Sequence, residues 1–212
     1  MTHLKWAGCD RATQEAALEE IVRGAGFLVA ILETARALDL PDWWLVSGAI
    51  YNTVWNSLTG RPLRHGIKDA DLFYFDPDLS WEAEDRQIRR AARHFAADPP
   101  VELRNQARVH LWYEAHFGQP YPPLTRTCDA IDNFACRTHA VGLRLEADDR
   151  LRLYAPFGLD DIFAFRLTPN PVRDNRATHE AKAVRQCQLW PELTVVPWPE
   201  TPGQSTRSRL NR

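Results

Sequence analysis

Residues 68–76 read Lys-Asp-Ala-Asp-Leu-Phe-Tyr-Phe-Asp, and this stretch decides how the chain folds. Its second half is apolar and aromatic, which is typical of a buried β-strand, and Asp76-Pro77 ends the run. Side chains alternate between the two faces of a strand, so Asp69 and Asp71 are predicted to point the same way. The stretch therefore predicts a core strand with two carboxylates at its head.

A helix, a strand and a second helix are predicted upstream of this stretch. Apolar residues recur at three- and four-residue steps from Thr13 to Leu40, which indicates helix with a break at its glycines. The apolar run 43–46 then indicates a short strand, which Ser47-Gly48 closes. Residues 49–58 are predicted to form the second helix.

The same alternation continues downstream and ends in a hairpin. Strands alternating with helices, followed by a hairpin, predict an α/β or α+β mixed sheet: a small sheet flanked by helices, with a C-terminal hairpin and helix. Residues 1–196 are expected to form a single domain and 197–212 a flexible tail. The elements predicted here are helices over 80–97, 105–117 and 175–190, a strand at 101–103, and hairpin strands at 140–146 and 150–155.

The composition is that of a folded globular protein without a large electrostatic bias. With 44% hydrophobic residues and a net charge of −2, the chain lacks the positive field that draws proteins onto long nucleic acid or an anionic membrane, so tight, sequence-independent nucleic-acid binding is not expected. The four cysteines form no C-x-x-C pair, which excludes a zinc knuckle and a thioredoxin-like motif. The charge-free stretch 43–60 carries too many Ser, Thr and Asn residues to span a bilayer, and no N-terminal signal is evident; a cytoplasmic location is expected.

Three carboxylates are the candidate catalytic and metal-binding residues. Like charges as close as those of Asp69 and Asp71 repel unless a cation lies between them, and such oxygen ligands suit Mg²⁺ or Mn²⁺. Glu102 lies between two apolar residues of the next predicted strand, where it could complete the metal site and orient a nucleophile. The alternative for each is a solvated acid at a strand end or edge. If Glu102 lies away from the two aspartates, Asp161 is the next candidate for the third acid.

The turn Ser47-Gly48 is the candidate phosphate-binding element. It connects an apolar strand to a helix, so free backbone N–H groups and the positive end of the helix point at any bound phosphate. Gly48 lets the backbone come close to that ligand. A tight strand-to-helix turn without a ligand is the alternative.

Taken together, the Ser47-Gly48 turn, the acidic strand and Glu102 on the next strand resemble the nucleotidyltransferase superfamily related to the catalytic domain of DNA polymerase beta. The resemblance is closer to a bacterial nucleotidyltransferase-like family. The resemblance covers about residues 31–196 of the chain. It is carried by the turn and helix at 47–55, the acidic strand 69–76, residues 105–112 and residues 155–162, and it ends near Lys182 and Trp190-Pro191.

The resemblance implies transfer of a nucleoside monophosphate from an NTP to an acceptor, with two Mg²⁺ ions holding the reactants at Asp69, Asp71 and Glu102. Within the matched blocks, Asn105 is a candidate for hydrogen bonds to the base or ribose, and Arg108 for binding the triphosphate. The residues do not name the acceptor. The competing interpretations are a non-catalytic nucleotide sensor on the same fold and a structural interaction protein.

Overall fold

Five strands form the central sheet of the computed structural model, which describes residues 2–200. They are β1 (Trp44–Val46), β2 (Ala70–Tyr74), β3 (Val101–Asn105), β4 (Gly142–Leu145) and β5 (Leu151–Tyr154). Their spatial order is β3-β2-β1-β4-β5; β2 and β3 run parallel, and the other neighbours are antiparallel. Residues 201–212, most of the predicted tail, lie outside the described residues.

Helices pack on this sheet, and a second sheet of two short parallel strands, β6 (Arg166–Leu167) and β7 (Thr194–Val195), lies apart from it. The predicted mixed α/β fold is thereby confirmed. The helices are α1 (Arg11–Gly24), α2 (Gly26–Leu38), α3 (Gly48–Thr59), α4 (Trp81–Ala91), α5 (Val109–Phe117), α6 (Thr127–Asp132), α7 (Asp160–Phe163) and α8 (Arg176–Leu189).

Helix boundaries follow local hydrogen bonding, and two of them differ from the prediction. The side chain of Ser80 accepts a hydrogen bond from the backbone N–H of Ala83 at 3.3 Å, which starts α4 where the sequence predicts. That helix ends at Ala91, and beyond it the N–H groups of Arg93 and His94 donate to carbonyls three residues back. Helix α5 starts four residues later than predicted, since Asn105 belongs to β3 and residues 106–108 form a 3₁₀ turn.

The two faces of the sheet are packed differently. Ala70, Leu72 and Tyr74 of β2 face the main core, which α1, α2 and α3 cover. The opposite face carries a smaller apolar cluster that includes Trp44 and Ile131 of α6. Asp71 and Phe73 alternate with the core residues of β2, so they belong to this second, partly open face. The described part of the chain contains no helix with the length and hydrophobicity needed to cross a lipid bilayer.

Candidate active site

Asp71 and Glu102 lie opposite each other on the parallel strands β2 and β3. Neighbouring strands are about 4.8 Å apart, and paired residues project to the same face of a sheet. Arg104, two residues beyond Glu102, is paired in the same way with Phe73. The parallel pairing therefore brings two of the three predicted carboxylates together on the open face of the sheet.

The third predicted carboxylate, Asp69, acts on Asp71 through its charge. Asp69 is half-buried and lies just before β2. Burial, followed by repulsion from Asp69, raises the pKa of Asp71 from 3.8 to about 6; Glu102 adds to this effect and Lys182 opposes it. Ionisation of Asp71 is therefore unfavourable while no cation neutralises the group.

The Ser47-Gly48 turn lies at the same edge of the sheet as these acids. Because β1 is antiparallel to β2 and Val46 pairs with Asp71, the residues that follow Val46 lie beside those that precede Asp71. Ser47 has φ 59° and ψ −117°, a conformation that L-residues rarely adopt and that costs free energy. The turn directs the N-terminus of α3 to the acidic edge of the sheet.

A cavity of about 280 Å³ opens next to the acids. Its floor is the open face of the sheet, with Asp71, Phe73, Glu102 and Arg104. The other walls come from α5, α6, α8 and their connecting loops, and they are largely aromatic. These wall residues include Trp112, Tyr113, Phe117, Tyr121 and Phe134, with Asn133, Asn175, Thr178 and Lys182 as polar members. A mostly apolar cavity with a few polar groups is typical of a small-molecule site.

Oxygen donors for a divalent cation are present, but they are not gathered around one point. Within residues 2–200, no group of three or more His, Cys, Asp or Glu side chains is arranged to hold a metal ion. The carboxylate of Glu102 is half-exposed and accepts a hydrogen bond from Arg104 at 3.3 Å. The carboxylates of Asp69 and Asp71 fit Mg²⁺ or Mn²⁺ by their chemistry, whereas Glu102 would have to leave Arg104 to join them.

The model of a protein family described as "Nucleotidyltransferase" matches residues 33–195, which include both strands of the acidic site and α8. The chain belongs to this nucleotidyltransferase family. This membership supports nucleotidyl transfer in general for the chain. Nucleotidyltransferases of this kind generally use divalent metals, which accords with the oxygen donors at Asp69 and Asp71.

One solved structure resembles this nucleotidyltransferase over most of both chains. The similarity has a TM-score of 0.66 with 28% sequence identity, and it covers 85% of this chain and 96% of the other. That structure, determined by NMR, is described as revealing a CCA-adding enzyme head domain. No significantly similar protein was found among curated proteins.

Asn105 and Arg108, the predicted nucleotide ligands of this nucleotidyltransferase, are bound to other parts of the protein. The side chain of Asn105 is buried; it accepts from the N–H groups of Asp76 (3.0 Å) and Ala107 (3.1 Å) and donates to the carbonyl of Asp76 (2.9 Å). Arg108 forms a salt bridge with Glu84 of α4, in which both side chains are 15% exposed. Their nucleotide-binding roles stay predictions, and each would require these bonds to be exchanged.

Sequence patterns mark Lys182 only as the end of the resemblance, and they do not assign it or the aromatic wall of the cavity to the site. The detectable signal is helical spacing: His179, Ala183 and Gln186 are the buried residues of α8, so Lys182 lies at the edge of the inward face. Asp161, the substitute third acid, pairs instead with Arg166 at 2.6 Å.

Proposed function

We propose that this protein transfers a nucleoside monophosphate from an NTP to an acceptor at the site formed by Asp69, Asp71 and Glu102. The observation that carries the proposal is the register of β2 and β3, which places Asp71 opposite Glu102 beside the Ser47-Gly48 turn. Family membership supports the reaction type. The use of an NTP, of a divalent metal and of an acceptor is part of what we propose.

The phosphate chain of the NTP binds at the N-terminus of α3. The first N–H groups of a helix have no partner within it, and the helix dipole favours an anion there. The backbone at Gly48 is not crowded, since a Cβ at this position would make only van der Waals contacts with the side-chain tips of Tyr51 and Asn52 at 3.9 Å. Ser47 and Gly48 thus bind and orient the reacting phosphates next to the acids.

Asp69, Asp71 and Glu102 hold divalent cations, Mg²⁺ or Mn²⁺. A bound cation supplies neutralisation of the charge that develops on the transferring phosphoryl group. The chain's own contribution is to hold the carboxylates in place: Asp71 on an inner strand, Asp69 at the head of that strand and Glu102 on the edge strand. The aromatic walls of the cavity exclude water from the face of the sheet on which Asp71 lies.

A non-catalytic nucleotide-binding protein on the same fold is the second candidate. The salt bridge between Glu102 and Arg104 favours it, because an acid neutralised by arginine is not free to bind a cation. Under this alternative, nucleotide binds at Ser47-Gly48 without release of pyrophosphate.

Incubation of the purified protein with each labelled NTP and Mg²⁺ or Mn²⁺ tests the proposal. Pyrophosphate release and a labelled product are the expected results, and Asp71→Asn is expected to lower the rate on the order of 100-fold or more. Glu20→Gln is the matched control, since Glu20 is an exposed acid on α1 outside the cavity. NTP binding without turnover in the wild type would support the second candidate.

A further inference from the structure

Four charged residues line the cavity, and one of the two cations has no carboxylate partner. Arg104 is paired with Glu102, at 3.3 Å. Lys182, on the opposing helix α8, forms no salt bridge with any described residue. It lines the same cavity as Asp71, on helix α8 and not on the sheet. Because these two opposite charges share a cavity without forming a salt bridge, a third charged group can bind between them.

The choice of lysine at this position is informative because the chain rarely uses it. Of 26 basic residues, only Lys5, Lys68 and Lys182 are lysine. Lysine carries a compact point charge with three rotatable donors and binds phosphate in this form, whereas arginine forms planar, two-point contacts. Lys5 and Lys68 are exposed, but Lys182 is half-buried at the cavity.

Helix α8 is fixed firmly enough to hold a ligand-binding side chain in place. One turn after Lys182, Gln186 donates to the hydroxyl of Tyr51 at 2.8 Å and accepts from the imidazole of His139 at 3.0 Å. All three side chains are buried, and the rings of Tyr51 and His139 stack at 4.6 Å. Because Tyr51 lies in the first turn of α3, this network ties α8 to the helix that begins at Gly48.

We infer that Lys182 binds the phosphate chain of the nucleotide, from the side of the cavity opposite the acids. The inference rests on the proposed function and adds a ligand that the acidic strands and the turn do not supply. Its ammonium group donates to non-bridging phosphate oxygens, while the N–H group of Gly48 binds the same chain from the sheet edge. The N–H group of Ser47 already donates to the carbonyl of Val141 at 2.9 Å, so Ser47 contributes through its hydroxyl.

Protection of the lysines from an amine-acylating reagent tests this on the unmodified protein. Inorganic tripolyphosphate and each NTP, with Mg²⁺, serve as probes, and peptide mapping reports the modification of each of the three lysines separately. Lys182 is expected to be acylated more slowly in the presence of either probe. Lys5 does not line the cavity and is expected to react at an unchanged rate. Equal acylation of Lys182 with and without a bound probe would overturn the inference.

Variants supply the second measurement. Lys182→Met is expected to weaken tripolyphosphate and NTP binding by about 10- to 100-fold, the size of a lost charged hydrogen bond. Lys182→Arg, which keeps the charge, should lose less. Arg185→Met is the control, because it removes the same charge from an exposed position on the same helix. Unchanged binding by Lys182→Met while the wild type binds overturns this inference alone; a wild type that binds neither probe overturns the proposed function as well.

Discussion

Asp71 and Glu102 are paired residues of adjacent parallel strands, yet their carboxylates have different environments. Asp71 is half-buried, and among the described residues no cation forms a salt bridge with it. Glu102 is 49% exposed and neutralised by Arg104. Burial and repulsion from Asp69 thus make the carboxylate of Asp71 costly to ionise, although its strand position matches that of Glu102. Because of this difference, replacing Asp71 should change the stability of the protein even when no substrate is bound.

Asp71→Asn is expected to stabilise the metal-free protein above about pH 6. The pKa of Asp71 is raised from 3.8 to about 6, so the unfolded state loses its proton first as the pH rises. The free energy of unfolding therefore decreases as the pH rises from 3.8 to about 6, and the decrease is complete above the higher of these two pKa values. The variant lacks this penalty and should be more stable by about 1–3 kcal/mol near pH 8, with little difference near pH 4.

Chemical unfolding of both proteins in excess EDTA at the two pH values measures this difference. Glu20→Gln is the control and should track the wild type at both. Saturating Mg²⁺ should narrow or reverse the difference, because a cation bound to the native state stabilises only the wild type. Superimposable curves for Asp71→Asn and wild type near pH 8 would contradict the assigned environment of Asp71.

Gly48→Ala is expected to separate folding from nucleotide binding. A methyl group at Gly48 meets only side-chain tips at 3.9 Å, and alanine is the better helix former, so stability should be unchanged or rise by up to about 1 kcal/mol. The same methyl group would occupy the space through which phosphate approaches the backbone. Thermal unfolding and NTP titration measure the two effects, and undiminished NTP affinity would argue against a phosphate site at this turn.

The acidic strand was predictable from sequence because its signal is local. Alternation alone places Asp69 and Asp71 on one side and Leu72 in the core, and the structure has the strand at 70–74. The cavity was not predictable, because its walls meet only in the folded chain. The rings of Tyr113 and Tyr121 pack at a tilt with centroids 4.3 Å apart, and the guanidinium of Arg173, distant in sequence, lies over both rings. No local sequence pattern joins Arg173 to these tyrosines.

Asn105 shows a second limit of local patterns. A polar residue at the end of a strand beside the candidate acids suits a ligand-binding role and a structural role equally well. Only the structure shows the amide satisfied by backbone groups. We expect Asn105→Ala to lower the free energy of unfolding by about 1–3 kcal/mol, since partly buried backbone groups of Asp76 lose their partner. Urea unfolding measures this, and a loss below about 0.5 kcal/mol would return Asn105 to the list of nucleotide ligands.

Gly142 is expected to be required by the packing of α6 on the open face of the sheet. A Cβ at this position of β4 would lie 2.8 Å from the Cδ1 of Ile131 and 3.3 Å from the ring of Trp44. Gly142→Ala should therefore cost about 1–3 kcal/mol through overpacking. Adding Ile131→Val removes the clashing methyl and should recover part of the loss, a coupling of at least about 0.5 kcal/mol in a double-mutant cycle. Strictly additive effects would place the cause elsewhere.

We expect the protein to bind long nucleic acid only weakly. Residues 86–93 form the most basic stretch of the chain, with four arginines on and beyond α4. Two of these arginines make contacts within the protein: Arg89 pairs with Asp85 at 2.9 Å, and Arg90 donates to the carbonyl of Leu38. The same helix carries the acids Glu82, Glu84 and Asp85, so it does not present an uninterrupted row of cations to phosphates.

Titration with duplex DNA and with structured RNA at ~50 and ~200 mM salt measures this binding, because proteins that neutralise many phosphates lose orders of magnitude in affinity over that range. Weak binding at both concentrations is expected for a net charge of −2. A triphosphate needs only a few cations and backbone N–H groups, so NTP binding should persist under the same conditions and serves as the positive control. Tight binding at the lower salt that collapses at the higher would contradict the prediction and would place the end of a nucleic acid chain first among the candidate acceptors.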